Sequence, residues 1–221
     1  MYLHLVVKVT TKSCSLTTET DRREVIMSLH HKIVIIGGGN AGLSVAARLR
    51  NAGQDDVAVI EPRTEHFYQP LWTLVGGGAA DRGESVRPQA KVTPQGVAWI
   101  KDSVIRVDPD ERRLTLASEA DVAYDYLVVA PGIQLDWGRI PGMAEAIDTP
   151  SVSSNYLFDL APKTWQLIKS MRSGTAVFTM PSGPIKCAGA PQKIAYLAAD
   201  YWRQQGVLDA IRIVLVLPTP A

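Results

Sequence analysis

The run KIVIIGGGNAGLSVAARL at residues 32–49 constrains this chain more than any other stretch. Residues 33–36 are an unbroken β-branched block, the composition of a parallel strand buried on both faces. Gly37, Gly39 and Gly42 follow at GxGxxG spacing. Gly37 permits a tight turn, Gly39 lets backbone approach a pyrophosphate, and Gly42 lets a helix pack close to the strand. The free N–H groups at the helix start, where Asn40 and Ala41 lie, then face the anion. The helix is expected to close at Asn51 and Gly53, with the next strand over residues 57–60. Glu61 and Pro62 end that strand, and an acidic side chain there can accept a ribose hydroxyl. All of this falls within about 30 residues, the usual size of such a unit. An acid at position 61 disfavours a ribose 2′-phosphate, so the expected ligand is FAD or NAD and not NADP.

Two more strand candidates, 104–107 and 113–117, are joined by the turn DPDER, and YDYLVVAPGIQLDW comes after them. Residues 127–130 read as a short buried strand ending in Pro131 and Gly132. This segment resembles the flavoproteins with two dinucleotide-binding domains, in which a Tyr-Asp-x-Leu-Val strand and its glycine turn lie near the flavin pyrophosphate. Pro131 departs from that pattern, since many members carry Thr there. Proline has neither the hydroxyl nor an N–H to donate.

A second strand, 176–179, opens a second unit, but MPSGPIKCAGAP follows it. Its glycines, Gly183 and Gly189, lack GxGxxG spacing, and Pro181, Pro184 and Cys187 stand where a nicotinamide dinucleotide would lay its pyrophosphate. NADH oxidation is therefore disfavoured. Pro191 suits a first helical turn. Ile194, Leu197, Ala198, Tyr201 and Trp202 then recur at helical spacing on one apolar face. Cys187 precedes that helix and adjoins Lys186, two features that favour a thiolate; a buried cysteine acting as a small hydrophobe is the other reading.

FYQPLWTLVGGG at 67–78 and KCAGAPQK at 186–193 resemble the sulfide:quinone oxidoreductases, in the branch that includes the mitochondrial enzymes. The likeness runs from about His31 to the last residue. It implies an FAD-dependent enzyme with noncovalent FAD and a pair of redox cysteines, of which Cys187 matches the first. It further implies hydrogen sulfide and a quinone as substrates, with a sulfane-sulfur acceptor such as sulfite, glutathione or cyanide. A peripheral site on the mitochondrial inner membrane or bacterial cytoplasmic membrane, and a homo-oligomer, belong to the same implication. Some branches attach FAD through an N-terminal cysteine, but no cysteine lies between Cys14 and Cys187. The residues assigned to the cofactor are Gly37, Gly39, Asn40, Ala41 and Gly42 in the first turn, and Glu61 and Pro62 after the second strand. Gln69 and Pro70 are placed beside the flavin ring, and Val104, Pro131 and Gly132 complete the set.

Phe67, Tyr68 and Trp72 either wall a flavin or form a core cluster. His66 is expected to be satisfied locally rather than to donate protons. The glycine- and proline-bearing stretch 76–95 reads as a flexible surface loop, and 150–163 as the crossing between domains. A helix over 163–172 and a parallel strand over 211–217 complete the second unit.

The expected fold is α/β: a doubly wound, Rossmann-like parallel sheet forming an FAD-binding domain at 31–160, then an incomplete second dinucleotide-binding-like unit at 161–221. Residues 1–30 read as a disordered leader or gene-model extension, with Met27 the expected start. With 221 residues, the chain is far shorter than the resembled family and is expected to lack the second redox cysteine and the quinone site. Net charge is +1 and 46% of residues are apolar, with no block of like charge to point to nucleic acid. No run of about 18 apolar residues spans a bilayer, and two distant cysteines give no disulfide framework or metal spacing. The alternatives to the sulfide enzyme are a type II NADH dehydrogenase-like oxidoreductase and a noncatalytic FAD-binding fragment.

Overall fold

The computed structural model describes residues 29–182, Cys187 and 189–218. The expected leader up to residue 28, with Cys14 and Met27, lies outside the described residues, as do Gly183, Pro184 and Lys186. In chain order the first elements are β1 (Leu29–Ile36), α1 (Asn40–Asn51), β2 (Val57–Ile60), β3 (Glu65–Phe67), α2 (Trp72–Gly76), β4 (Val86–Pro88), α3 (Gln89–Val92) and β5 (Ala98–Ile100). They are followed by β6 (Val104–Asp108), β7 (Arg113–Leu116), β8 (Asp121–Val129), α4 (Met143–Ile147), α5 (Ala161–Ser170), β9 (Gly174–Thr179), α6 (Ala190–Gln204) and β10 (Ile211–Val216). The chain divides into two compact units, one of residues 29–66 and 88–132, the other of residues 67–87 and 133–218. Residues 67–87, within the stretch expected to form the FAD-binding domain, cluster with the second of these.

In the first unit a six-stranded sheet runs in the order β5-β2-β1-β8-β7-β6. β5, β2, β1 and β8 are mutually parallel, whereas β7 pairs antiparallel with both β8 and β6. The centre strands explain why the β-branched run is continuous. Ile33 and Ile35 face α1, packing with Ala46, Val57 and Val59. Val34 joins Ala58, Ile60, Leu114, Val122 and Tyr124 on the opposite face. Side chains alternate across a strand, so a strand covered on both faces needs apolar residues at every position. The parallel-dominated α/β architecture matches the expected Rossmann-like class.

β8 corrects the reading of residues 127–130. It starts at Asp121, and Val129 is exposed. The first half alternates, burying Val122 and Tyr124 while Asp125 points out, where its carboxylate lies 3.2 Å from His30 Nε2.

In the second unit, β9 and β10 pair in parallel. α6 buries Ile194, Ala198 and Trp202 in a core shared with Ile168 of α5 and Ile211 of β10. The Trp202 indole N–H donates to the Ile168 carbonyl at 2.8 Å, which satisfies the one polar atom of a fully buried ring. The helix expected at 163–172 begins at Ala161 and ends at Ser170. Pro162 therefore sits inside its first turn, where a missing N–H costs nothing.

Residues 76–95 are not a surface loop. A 3₁₀ turn, Arg82–Ser85, opens with a capping box between Asp81 and Glu84, and Ser85 and Gln89 are among the most buried side chains. Gly77 and Gly78 are sites of close approach, since a Cβ there would lie 2.5 Å from Leu197 Cδ1 and 2.7 Å from the Trp165 ring.

Candidate dinucleotide-binding site

The first unit's parallel strands end together at the glycine turn. Gly37 N–H donates to Ile60 O of β2 at 2.9 Å, and Ala130 N–H donates to Ile36 O of β1 at 2.8 Å. Gly37 has φ +99°, a region costly for any residue with a Cβ. A Cβ there would also lie 2.2 Å from Ala130 O and 3.2 Å from Pro131 Cα, so the end of β8 passes directly against the turn and Gly132 follows it. Gly42 faces back onto the same point: its Cβ would fall 1.9 Å from Gly37 O. Helix and strand touch backbone to backbone.

Gly39 is different. It caps α1 with ordinary extended torsions, φ −72° and ψ −174°, and a Cβ on it would meet no protein atom within 4 Å. Gly39 is exposed, and its side opens onto free space. α1 has no acidic residue in its first turn, no side-chain cap on its leading N–H groups, and Arg48 and Arg50 in its last turn. The helix start at Asn40 and Ala41 thus has N–H donors free of side-chain caps and no acid in its own first turn, which suits an anion.

Glu61 binds the turn directly. Its Oε2 accepts from Gly38 N–H at 2.8 Å and its Oε1 from Arg63 N–H at 2.9 Å. The Trp99 indole of β5 donates to the Glu61 carbonyl at 2.8 Å, fixing the backbone from which the carboxylate reaches. Pro62 continues from it. Val104, the first residue of β6, packs against the sheet core.

Two further side chains reach the turn. His66 places Nδ1 3.2 Å from Gly38 O and Nε2 2.9 Å from Asn40 Oδ1, the locally satisfied histidine that was expected. Gln89 Nε2 donates to Gly38 O at 3.0 Å. Sequence reasoning missed Gln89, because a glutamine in a stretch rich in glycine and proline carries no signal of burial.

Gln69 and Pro70 form a 3₁₀ turn, Gln69–Leu71, in the second unit. Of the neighbouring aromatics, Phe67 and Trp72 belong to a core cluster. Phe67 and Trp72 pack against Phe158 with tilted rings, at centroid distances of 4.7 Å for Phe67–Phe158 and 6.2 Å for Trp72–Phe158. Tyr68 is half-exposed. The Arg82 guanidinium lies 4.1 Å over the Phe158 ring and pairs with Asp159 at 2.9 Å.

Cys187 is a free, half-buried cysteine just before α6, and its carbonyl accepts from Ala190 N–H at 3.2 Å. Burial raises the Tyr156 phenol above its ordinary range, and the negative charge of a Cys187 thiolate pushes it in the same direction. Among the described residues, no group of three or more His, Cys, Asp or Glu side chains could hold a metal ion.

Parallel strands that end at a GxGxxG turn, a helix start with free N–H donors and an acid bonded to the turn have the form of a dinucleotide-binding domain, and the free donors suit a pyrophosphate. The chain belongs to the pyridine nucleotide-disulphide oxidoreductase family, whose model matches residues 31–170. It is 44% identical over 178 residues to the mitochondrial sulfide:quinone oxidoreductase of Mus musculus, covering 80% of this chain and 40% of the mouse protein. The Dictyostelium discoideum counterpart is also 44% identical, over 185 residues, covering 82% of this chain and 41% of its own. The chain thus spans about two fifths of the length of these relatives. In fold it is similar to the sulfide:quinone oxidoreductase of Aquifex aeolicus, with a TM-score of 0.71 and 22% identity over 87% of this chain and 44% of that one.

Proposed function

We propose that this chain supplies the FAD-binding turn and the first redox cysteine of a sulfide:quinone oxidoreductase. The observation that carries the reading is the 44% identity to the mouse enzyme over 80% of the chain; the family model spans residues 31–170 and so takes in the turn at Gly37–Gly42. A 30% match to an Arabidopsis thaliana external NAD(P)H-ubiquinone oxidoreductase covers only 52% of the chain, which gives the NADH dehydrogenase reading less support.

In this reading the amides at Gly39, Asn40 and Ala41 hold the pyrophosphate, and a remaining lone pair of Glu61, beside Pro62, accepts a ribose hydroxyl. Val104, Pro131 and Gly132 border the cofactor, and Gln69 and Pro70 lie beside the flavin ring. Cys187 is reserved for sulfur chemistry, and with no cysteine between Cys14 and Cys187 FAD is held noncovalently. FAD, when bound, accepts an electron pair and delivers it to a quinone. In the complete enzyme Cys187 would form one half of a disulfide pair, with its partner outside these 221 residues. Hydrosulfide bonds to one sulfur of the pair as the S–S bond breaks, leaving a persulfide on one cysteine and a thiolate on the other, and the thiolate carries the electron pair. The outer persulfide sulfur then passes to a nucleophilic acceptor. Attachment to a membrane surface belongs to the same reading; among the described residues no helix is long and apolar enough to cross a bilayer.

The test is anaerobic. Purified protein that carries this chain together with a second redox cysteine is expected to hold yellow flavin that sulfide bleaches. Flavin bleached by NADH and not by sulfide would replace this reading with the dehydrogenase. Flavin that answers neither reductant would leave a noncatalytic FAD-binding module.

A further inference from the structure

The carbonyl of Gly38 sits between two donors drawn from distant parts of the chain, Gln89 Nε2 at 3.0 Å and His66 Nδ1 at 3.2 Å. A carbonyl only accepts, so Nδ1 carries the ring proton that faces it. The other ring nitrogen, 2.9 Å from Asn40 Oδ1, pairs with a side-chain amide whose two ends exchange by a half-turn. Gln89 is 1% exposed and is itself anchored, its N–H donating to Thr64 O at 2.8 Å and its carbonyl accepting the Thr93 hydroxyl at 2.9 Å. On the other side, Gly38 N–H is held by Glu61 at 2.8 Å. Both peptide planes flanking Gly38 are therefore fixed by side chains. Gly38 is glycine for the same reason, since a Cβ would lie 2.6 Å from Gln89 Nε2 and 2.7 Å from Glu61 Cβ.

The orientation of one plane has a consequence for the next amide. In a trans peptide the C=O and the following N–H point in opposite directions. Holding Gly38 O between His66 and Gln89 turns Gly39 N–H away from them. Gly39 is exposed, and beyond its chain neighbours a Cβ on it would meet nothing within 4 Å.

We infer that His66 and Gln89 are positioning residues that, by gripping the Gly38 carbonyl, aim the Gly39 amide at the dinucleotide pyrophosphate. The inference rests on the FAD reading above. It concerns two residues outside the glycine motif that act only through the turn.

The test uses the full chain freed of flavin, with FAD as the probe and its Kd measured by quenching of flavin fluorescence. The variants are His66→Leu, Gln89→Met, their double, and His66→Gln, which keeps a donor. Each apolar single variant is expected to weaken FAD roughly two- to threefold, because the remaining donor still serves the carbonyl. The double is expected to weaken it by about tenfold or more, beyond the product of the singles, because a buried acceptor then has no donor. His66→Gln is expected to restore most of the affinity lost in His66→Leu, and the melting midpoint of the apoprotein to stay within a few degrees across the single variants. Singles with wild-type affinity, a double equal to the product, or a lowered apoprotein midpoint with unchanged FAD affinity would each overturn the inference. If the double variant does not fold, the two His66 variants decide alone: equal affinity in both overturns it. A wild-type chain that binds no FAD at all removes the underlying reading instead.

Discussion

Glu61 accepts the Gly38 amide at 2.8 Å, so the acid that closes β2 and the glycine turn that closes β1 form one hydrogen-bonded unit before any ligand arrives. A carboxylate accepting two backbone N–H groups is ordered along both its oxygens, and charge-assisted bonds of this kind contribute about 1.5–3 kcal/mol each. Glu61→Gln keeps the shape, removes the charge and turns one acceptor into a donor. FAD affinity is expected to fall about tenfold or more, measured by fluorescence titration. An unchanged Kd would separate Glu61 from the cofactor.

Gly39 and Gly42 are both motif glycines, yet the structure gives them opposite sensitivities. A Cβ at Gly42 would lie 1.9 Å from the Gly37 carbonyl oxygen, a backbone atom that cannot move without opening the turn. Gly42→Ala is expected to destabilise the fold by about 2–4 kcal/mol, read from urea denaturation. A Cβ at Gly39 meets nothing within 4 Å and the torsions there suit any residue. Gly39→Val should therefore cost the fold no more than about 1 kcal/mol at the cap, while its side chain occupies the space proposed for the pyrophosphate and yields colourless protein. A Gly39→Val protein that purifies yellow would contradict the placement of the pyrophosphate.

Much of this site was legible in the sequence because each part has a local physical cause. The block at 33–36, the glycine spacing and Glu61 follow from burial on two faces, steric approach and hydrogen-bond reach, all within one βαβ unit. The first half of β8 was missed because its pattern is alternating: Val122 and Tyr124 turn inward while Asp125 turns out. A search for continuous apolar strands passes over it. Residues 76–95 were misread for a different reason. Their glycines and prolines look like loop punctuation, but Gly77 and Gly78 serve close packing, and Gln89 is buried by a contact 51 positions away in the chain. Nothing in the local sequence records that contact.

Asp56 ties the start of β2 to β1. Its carboxylate lies 2.6 Å from His31 Nδ1 and accepts the Lys32 backbone N–H at 2.7 Å. The hydrogen bond from His31, followed by that from Lys32, holds its pKa below the ordinary carboxylate value. A carboxyl whose pKa is lower in the folded state contributes stability above its unfolded value, near 3.8, and that contribution disappears as pH falls through the folded value. Asp56→Asn is expected to melt below wild type at pH 6 to 7, with the gap closing under about pH 4. Melting curves across that range check it; a gap that stays constant down to pH 3 would mean that the carboxylate charge plays no part.

Tyr156 reports on Cys187. Burial, the larger influence, raises the phenol's pKa, and the charge of a Cys187 thiolate adds to it because a second negative charge nearby disfavours the phenolate. Replacing the thiol by a group that stays neutral removes only the second influence. In Cys187→Ser the Tyr156 ionisation, followed by absorbance near 295 nm against a Tyr156→Phe control, is expected to move down while remaining above the ordinary tyrosine value near 10. The same variant tests the sulfur chemistry: it should retain bound FAD with wild-type affinity and lose any sulfide-driven bleaching. A Tyr156 titration that does not move would show that the two groups do not feel one another. Bleaching by sulfide at an undiminished rate would remove Cys187 from the reaction.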